Sequence, residues 1–250
     1  MTKIILSGCN GHMGRVVAQL CASDPELEIS AGIDILGQPG DQFPVFPSPA
    51  ACNVSGDVVI DFSHPSALDG LLNFCVDRSV PAVLATTGYS PEQLEQISQA
   101  AQHVPIFRSA NFSLGINLLM DLVRRAAGVL GSDYDVEIVE RHHRRKVDAP
   151  SGTALMLADA VSQGLPYSPE YVYDRHSVRQ PRQAQEIGIS SVRGGTITGD
   201  HTVIFAGLDE VIEISHHAAS REIFASGAVR AAKFLSQMTE PGLYDMSNLL

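Results

Sequence analysis

The sequence predicts an α/β protein: a doubly wound, mostly parallel sheet, followed by a second, α+β domain built on a mixed or antiparallel sheet. Three observations carry that prediction. Short β-branched apolar runs alternate with helical segments over residues 1–112, the alternation stops at residue 113, and a glycine-rich stretch, GCNGHMG, lies between the first strand and the first helix.

In chain order, Ile4-Ile5-Leu6, residues 29–33, residues 58–60, Val83-Leu84 and residues 104–107 read as strands, since short apolar runs bounded by turn residues suit a sheet buried on both faces. Helices fall between them near 12–23, 65–77 and 91–102. Pro65 and Pro91 stand in first helical turns, where a fixed φ and a missing N–H cost nothing. Residues 36–55, rich in Pro and Gly, form a long connection of the kind that is often functional or mobile. From Ser113 a helix is expected to about Leu130, then an alternating strand over 135–140, a helix from about Gly152, and strands over 186–192, 196–206 and 211–215. A last helix over 221–238 carries Ile223, Phe224, Ala228, Ala231 and Leu235 along one side, and this stripe is expected to return to the first domain. The expected domains are 1–112, completed by 221–250, and 113–220.

Composition narrows the classes of function. The chain has 250 residues, 44% hydrophobic and 18% charged, which suits a globular protein with one large core or two smaller ones. No apolar run approaches a membrane span, and the apolar stretch after Met1-Thr2-Lys3 is too short for a signal peptide, so a cytoplasmic protein is expected, with no membrane partner. A net charge of −11 argues against nucleic-acid binding, which needs a broad basic surface. Four cysteines without Cys-x-x-Cys spacing are expected to be reduced packing residues. His216 and His217, adjacent on an expected strand, point to opposite faces, a poor geometry for one metal, and no metal site is expected.

The first chemical motif is the glycine turn. Gly8, Gly11 and Gly14 follow a strand and open a helix, so that a pyrophosphate could approach backbone amides where the helix dipole favours an anion. A tight turn alone would explain three glycines. Asp34, after the second strand, stands where a ribose-binding acid belongs and favours a dinucleotide. Small polar stretches follow the next three strands: Asp61-Phe62-Ser63, Ala85-Thr86-Thr87-Gly88 and Ser109-Ala110-Asn111-Phe112. Turns use such residues, but three in succession at the carboxyl edge of a parallel sheet suit a lined cofactor cleft.

The second motif is ERHHRRKVDAPSGTA, residues 140–154, a dense basic run in an acidic chain. It ends at Ser151-Gly152-Thr153, which opens an apolar helix. Ser151 serves as an N-cap in the plainest reading, yet the amides of Gly152 and Thr153 would also receive a carboxylate. With Lys146 and the histidine pair just upstream, the spacing suggests a small anionic substrate with acid catalysis nearby.

Residues 137–154, GCNGHMG near the start and SREIFASGAVRAAKFL over 220–235 together resemble the dihydrodipicolinate (4-hydroxy-tetrahydrodipicolinate) reductase family, and the resemblance runs the full chain. It implies a Rossmann-type cofactor domain and a second domain that holds the substrate and forms a homotetramer through its sheet. It also implies a reaction of diaminopimelate and lysine biosynthesis, in which NADH or NADPH reduces a small cyclic dicarboxylate after loss of water. On the residues that match, His142 and Lys146 are the implied proton donors, the choice between them staying open. His143, Lys146, Ser151, Gly152 and Thr153 are implied at the substrate carboxylate. Arg141, Arg144 and Arg145 either steer the dianion or face solvent.

On the cofactor side the resemblance implies Gly8, Cys9, Asn10, Gly11, His12 and Met13 at the pyrophosphate and Asp34 at the adenosine ribose. It implies Ala85, Thr86 and Thr87 at the nicotinamide ribose, and Ser109, Ala110, Asn111 and Phe112 at the nicotinamide. Ala85 stands where the family commonly has glycine. Ile35 stands where members that bind a 2′-phosphate tend to carry arginine, so NADH is expected to serve at least as well as NADPH. Two other readings remain: another reductase of a small carboxylate on the same scaffold, and a nicotinamide-sensing protein without turnover.

Overall fold

The structure, a computed structural model, describes residues 1–37 and 42–250. The chain runs through β1 (Thr2–Ser7), α1 (His12–Ala22), β2 (Leu27–Ile33), β3 (Val45–Phe46), β4 (Val58–Asp61), α2 (Leu68–Arg78), β5 (Ala82–Leu84), α3 (Pro91–Ala100) and β6 (Pro105–Arg108). It continues with α4 (Leu114–Leu130), β7 (Asp135–His142), α5 (Gly152–Gly164), β8 (Glu170–Val172), β9 (Glu186–Arg193), β10 (Asp200–Ala206) and β11 (Val211–His217), and closes with α6 (Glu222–Leu235) and β12 (Gly242–Tyr244). Two compact units result: residues 1–114 with 222–250, and residues 115–221.

In the first unit seven strands lie in the order β12-β6-β5-β4-β1-β2-β3, and every neighbouring pair is parallel. Apolar side chains leave the strands on both sides, as the unbroken runs require. Ile4, Leu6, Val58, Ile60 and Phe107 pack with Val17 of α1 and Ala228, Ala231 and Leu235 of α6. Ile5, Val59, Leu84 and Ile106 pack with Leu71, Leu72 and Phe74 of α2 and Ile97 of α3. Each Val, Leu, Ile or Phe side chain taken from water here contributes about 1.5–3 kcal/mol. α3 begins at Pro91 behind Ser90, whose hydroxyl accepts the Gln93 amide while Gln93 returns a bond to the Ser90 amide.

The second unit has a mixed five-stranded sheet, β11-β10-β7-β9-β8, antiparallel at β11/β10 and β10/β7 and parallel at β7/β9 and β9/β8. One face carries Val136, Ile138, Ile187, Ile189, Val203 and Phe205 against Ile116, Leu119 and Val123 of α4 and Leu157 and Val161 of α5. The strict alternation of β7 continues past its apolar residues, so Glu140 and His142 point the same way as Val136 and Ile138 and are buried with them.

The structure differs from the sequence reading at several places. The strand expected over 196–206 begins only at Asp200, because Gly194 and Gly195, the latter at φ +48°, turn the chain after β9. The helix expected at 65–77 opens with a 3₁₀ turn over Pro65–Ala67, capped by the His64 ring, before α2. β3 and a 3₁₀ turn at Pro49–Ala51 lie in the connection read as 36–55, of which 38–41 fall outside the described residues. The edge strands β8 and β12 were not expected. All four cysteines are free and buried. Among the described residues no helix is long and apolar enough to cross a membrane.

Candidate active site

The first unit gathers its candidate residues at the carboxyl ends of β1, β2, β4, β5 and β6. Gly8 follows β1 at φ +75°, and a Cβ on it would lie 2.5 Å from the Phe62 carbonyl oxygen; one on Gly14 would lie 2.2 Å from that of Gly8. Both glycines are therefore required by the turn itself. α1 starts beyond Gly11 with no side-chain cap, which leaves first-turn N–H groups without a side-chain acceptor. Asp34 leans toward this turn: its carboxylate accepts the Asn10 and Leu36 amides, each at 3.1 Å. A glycine cradle, an uncapped helix start and an acid at the end of β2 fit the pyrophosphate and ribose of a dinucleotide. Cys9 belongs to the packing, its sulfur near Gly32; burial, and then the charge of Asp34, push its thiol up to about 11.

Farther along the same edge, many side chains serve one another. Buried Asp61, at the end of β4, accepts Thr86 Oγ1 at 2.7 Å. Ser109 Oγ donates to the Asn111 carbonyl at 2.8 Å, and Asn111 Oδ1 accepts the Ser113 amide at 2.9 Å. Ala85, Thr86, Asn111 and Phe112 are buried, whereas Thr87 and Ala110 are exposed. Gly227 of α6 supports this end, since a Cβ there would fall 1.7 Å from the Phe112 carbonyl oxygen.

In the second unit, residues 142–151 form a loop held at both ends by Glu140. The His142 ring donates from Nδ1 to Glu140 Oε2 at 2.6 Å, and the Ser151 amide donates to Oε1 at 3.0 Å. Arg193 of β9 grips both oxygens at 2.7 Å. Burial would raise the Glu140 pKa, but the bonds from Arg193 and His142 outweigh it and hold the carboxyl at about 2. Ser151 Oγ caps α5 through the Ala154 amide at 3.1 Å and lies 2.9 Å from His201 Nε2. His201 is pushed down to about 4, chiefly by burial, and its ring stands edge-on to His142 with centroids 5.2 Å apart. Ser151 thus meets protein partners with both its amide and its hydroxyl, while Gly152 and Thr153 form the first turn of α5.

His143 and Lys146 are partly exposed on the loop. Burial, and then the charges of Arg221, Arg145 and other cations, lower the His143 pKa; Arg221 Nη2 lies 3.1 Å from its Nε2. Lys146 Nζ pairs with Asp148 Oδ2 at 2.9 Å. Arg144 and Arg145 are exposed. Arg141 faces the opposite side of the sheet from His142, with Nε 3.6 Å from Asp200. His216 and His217 also face opposite sides, in register with His201 and Asp200. Among the described residues no group of three or more His, Cys, Asp or Glu could hold a metal ion.

The sequence reading gave no role to Glu140, His201 or Arg221, and it placed Asp61 only in a stretch lining the cofactor cleft. Glu140 shares the face of His142 because β7 runs on to His142, beyond the strand expected over 135–140, and keeps its alternation there.

Family models described as the dihydrodipicolinate reductase N-terminus and C-terminus match residues 2–112 and 115–250. The chain belongs to the dihydrodipicolinate reductase family. Relatives named 4-hydroxy-tetrahydrodipicolinate reductase include one from Caldanaerobacter subterraneus subsp. tengcongensis, 53% identical over 250 residues, covering 100% of this chain and 98% of that protein. Another, from Clostridium tetani, is 46% identical and covers 100% of this chain and 97% of its own. The solved structure of a dipicolinate-bound dihydrodipicolinate reductase from Paenisporosarcina sp. TG-14 superposes with a TM-score of 0.82 at 25% identity, covering 100% of both chains.

Proposed function

We propose that this member of the family is a 4-hydroxy-tetrahydrodipicolinate reductase, an NAD(P)H-dependent oxidoreductase of diaminopimelate and lysine biosynthesis that forms tetrahydrodipicolinate with loss of water. The observation that carries the reading is the loop 142–151, closed at both ends on Glu140: one carboxylate holds the His142 ring and the amide of Ser151, the N-cap of α5, on a loop that also carries His143 and Lys146. Such a place suits a small dianion and a proton donor. The dipicolinate bound to the related Paenisporosarcina enzyme supports a cyclic dicarboxylate.

In this reading the first unit binds the dinucleotide, through the Gly8–Met13 turn, Asp34, Ala85 to Thr87 and Ser109 to Phe112. The reduced nicotinamide supplies a hydride when bound. His143, Lys146 and the Gly152-Thr153 turn hold a substrate carboxylate, and Ser151 fixes that turn from behind. Loss of water from the hydroxylated ring leaves a conjugated imine; after hydride addition at C4 the electron-rich ring carbon takes a proton, which His142 or Lys146 gives. NADH serves at least as well as NADPH. The reading includes a cytoplasmic homotetramer joined through the five-stranded sheet, whose face opposite α4 and α5 bears Val139, Val192 and Ile204.

A spectrophotometric assay of nicotinamide oxidation, with substrate generated from pyruvate and aspartate semialdehyde by the preceding synthase, tests the activity. Oxidation should require both precursors. A protein that binds NADH but consumes none under these conditions is a sensor rather than a reductase. Sedimentation at a mass other than four chains would overturn the tetramer.

A further inference from the structure

Glu140 is fully buried, and its two oxygens receive hydrogen bonds from His142, the Ser151 amide and both terminal nitrogens of Arg193, with the Ser191 side chain bonded to the carboxyl as well. Oε1 accepts from the Ser151 amide and Arg193 Nη2; Oε2 accepts from His142 Nδ1 and Arg193 Nη1. Arg193 Nη2 also donates to the Asp148 carbonyl at 2.6 Å, and the Gly194 amide donates to the His142 carbonyl at 2.9 Å. β7, the end of β9, the loop and the first turn of α5 all meet on one carboxylate.

An ionised carboxylate only accepts, so Nδ1 of His142 carries a hydrogen and Nε2 is left as the nitrogen that can vary. A Cβ on Gly199 would stand 3.0 Å from that Nε2, so the glycine gives the ring its room. We infer that Glu140 and Arg193 are positioning residues, which fix the tautomer and orientation of His142 and, through the Ser151 amide, the placement of the α5 first turn. The inference rests on the reading above that His142 and this turn serve the substrate. Glu140 acts without touching substrate, and the guanidinium fork of Arg193 is committed to it.

Glutamine at position 140 separates positioning from mere support. It keeps the shape but replaces one oxygen with a donor. An NH₂ facing Ser151 would oppose both that backbone N–H and Arg193 Nη2, two donors that cannot change, whereas an NH₂ facing His142 would oppose Arg193 Nη1 alone once the ring moves its proton to Nε2. Glu140→Gln should therefore leave the turn in place and impose the other tautomer.

The experiment uses histidine-¹⁵N-labelled full-length protein, with His142 signals assigned by their loss in His142→Asn, alongside steady-state kinetics and NADH titration. Glu140→Gln is expected to convert His142 from the Nδ1-protonated to the Nε2-protonated pattern and to lower kcat by about 10²-fold. KM for substrate and Kd for NADH should stay within about threefold. Arg193→Lys, which keeps the charge but not the fork, should lower kcat by about 10-fold. Unchanged His142 signals, or kcat within threefold of the unmodified enzyme, would overturn the inference. Should Glu140→Gln fail to fold, Arg193→Lys decides by the same kcat criterion. If the unmodified protein turns over no substrate, the proposed function falls, while the His142 signals still decide whether Glu140 sets the tautomer.

Discussion

Lys146 Nζ lies 2.9 Å from Asp148 Oδ2, so the lysine offered to a substrate anion is already paired with a carboxylate two residues along the chain. Asp148 is more than half exposed, and a pair of this kind contributes about 0.2–1 kcal/mol, little enough for a dianion to displace. Asp148→Asn is expected to lower KM for the dicarboxylate by up to about fivefold at low ionic strength with kcat nearly unchanged. Lys146→Ala should lower kcat by about 10²-fold or more while NADH binding survives. Steady-state kinetics check both, and a KM insensitive to Asp148→Asn would remove the idea of competition.

The prediction for cofactor choice rests on Asp34 and its neighbour. The carboxylate holds the Asn10 and Leu36 amides at the glycine turn, and Ile35, 89% exposed, supplies no cation against a 2′-phosphate. NADH should be used at least as well as NADPH. Ile35→Arg should shift the preference toward NADPH by about 1–3 kcal/mol, the worth of a charge-assisted contact. Side-by-side kcat/KM values measure it; a strong NADPH preference in the unmodified enzyme would contradict this account of Asp34.

His201 gives stability a pH dependence. Its pKa is about 4 in the folded protein against 6.5 when free, so between those values the unfolded chain binds the additional proton. Stability contributed by the neutral ring is complete above about pH 6.5 and is lost as pH falls toward 4, by up to roughly 3 kcal/mol. Glu140, lowered from 4.5 to about 2, acts in a lower window: its contribution is present above 4.5 and lost as pH falls through 2. His201→Gln should flatten the fall of Tm between pH 6.5 and 4.5. An unaltered slope would mean that other groups cause it.

Gly227 offers a test of the proposed nicotinamide role of residues 109–112. Alanine is the better helix former by about 1 kcal/mol, but its Cβ would stand 1.7 Å from a backbone oxygen of Phe112, and overpacking of this kind costs about 1–3 kcal/mol or more. Gly227→Ala is expected to lower Tm and to weaken NADH binding several-fold. Calorimetry and NADH titration report both; an alanine variant as stable as the parent would show that the 109–112 segment yields easily.

The sequence made legible whatever rests on local pattern. Apolar runs marked β1, β2, β4, β5 and β6, Pro91 marked the start of α3, and alternation marked β7. It could not show β3, β8 or β12, because none of these carries a fully buried apolar run such as marks the equally short β5, and they exist through the neighbours they pair with. The candidate site divides in the same way. His142, His143, Lys146 and the α5 start lie within a dozen residues and read as one motif. Arg193 and His201 lie some fifty residues farther on, and only the register of β9 and β10 against β7 brings them to Glu140.

The first unit is discontinuous, since residues 1–114 are joined by 222–250. α6 covers the sheet face formed by Ile4, Leu6, Val58 and Ile60, and it is encoded after the whole of the second unit. On a ribosome, where the chain emerges at about 5–20 residues per second, that apolar face has α1 but not α6 to cover it until more than a hundred further residues have been made. The second unit, 115–221, is contiguous and has all its own helices and strands before α6 appears. Synthesis therefore starts the dinucleotide sheet first and completes it last.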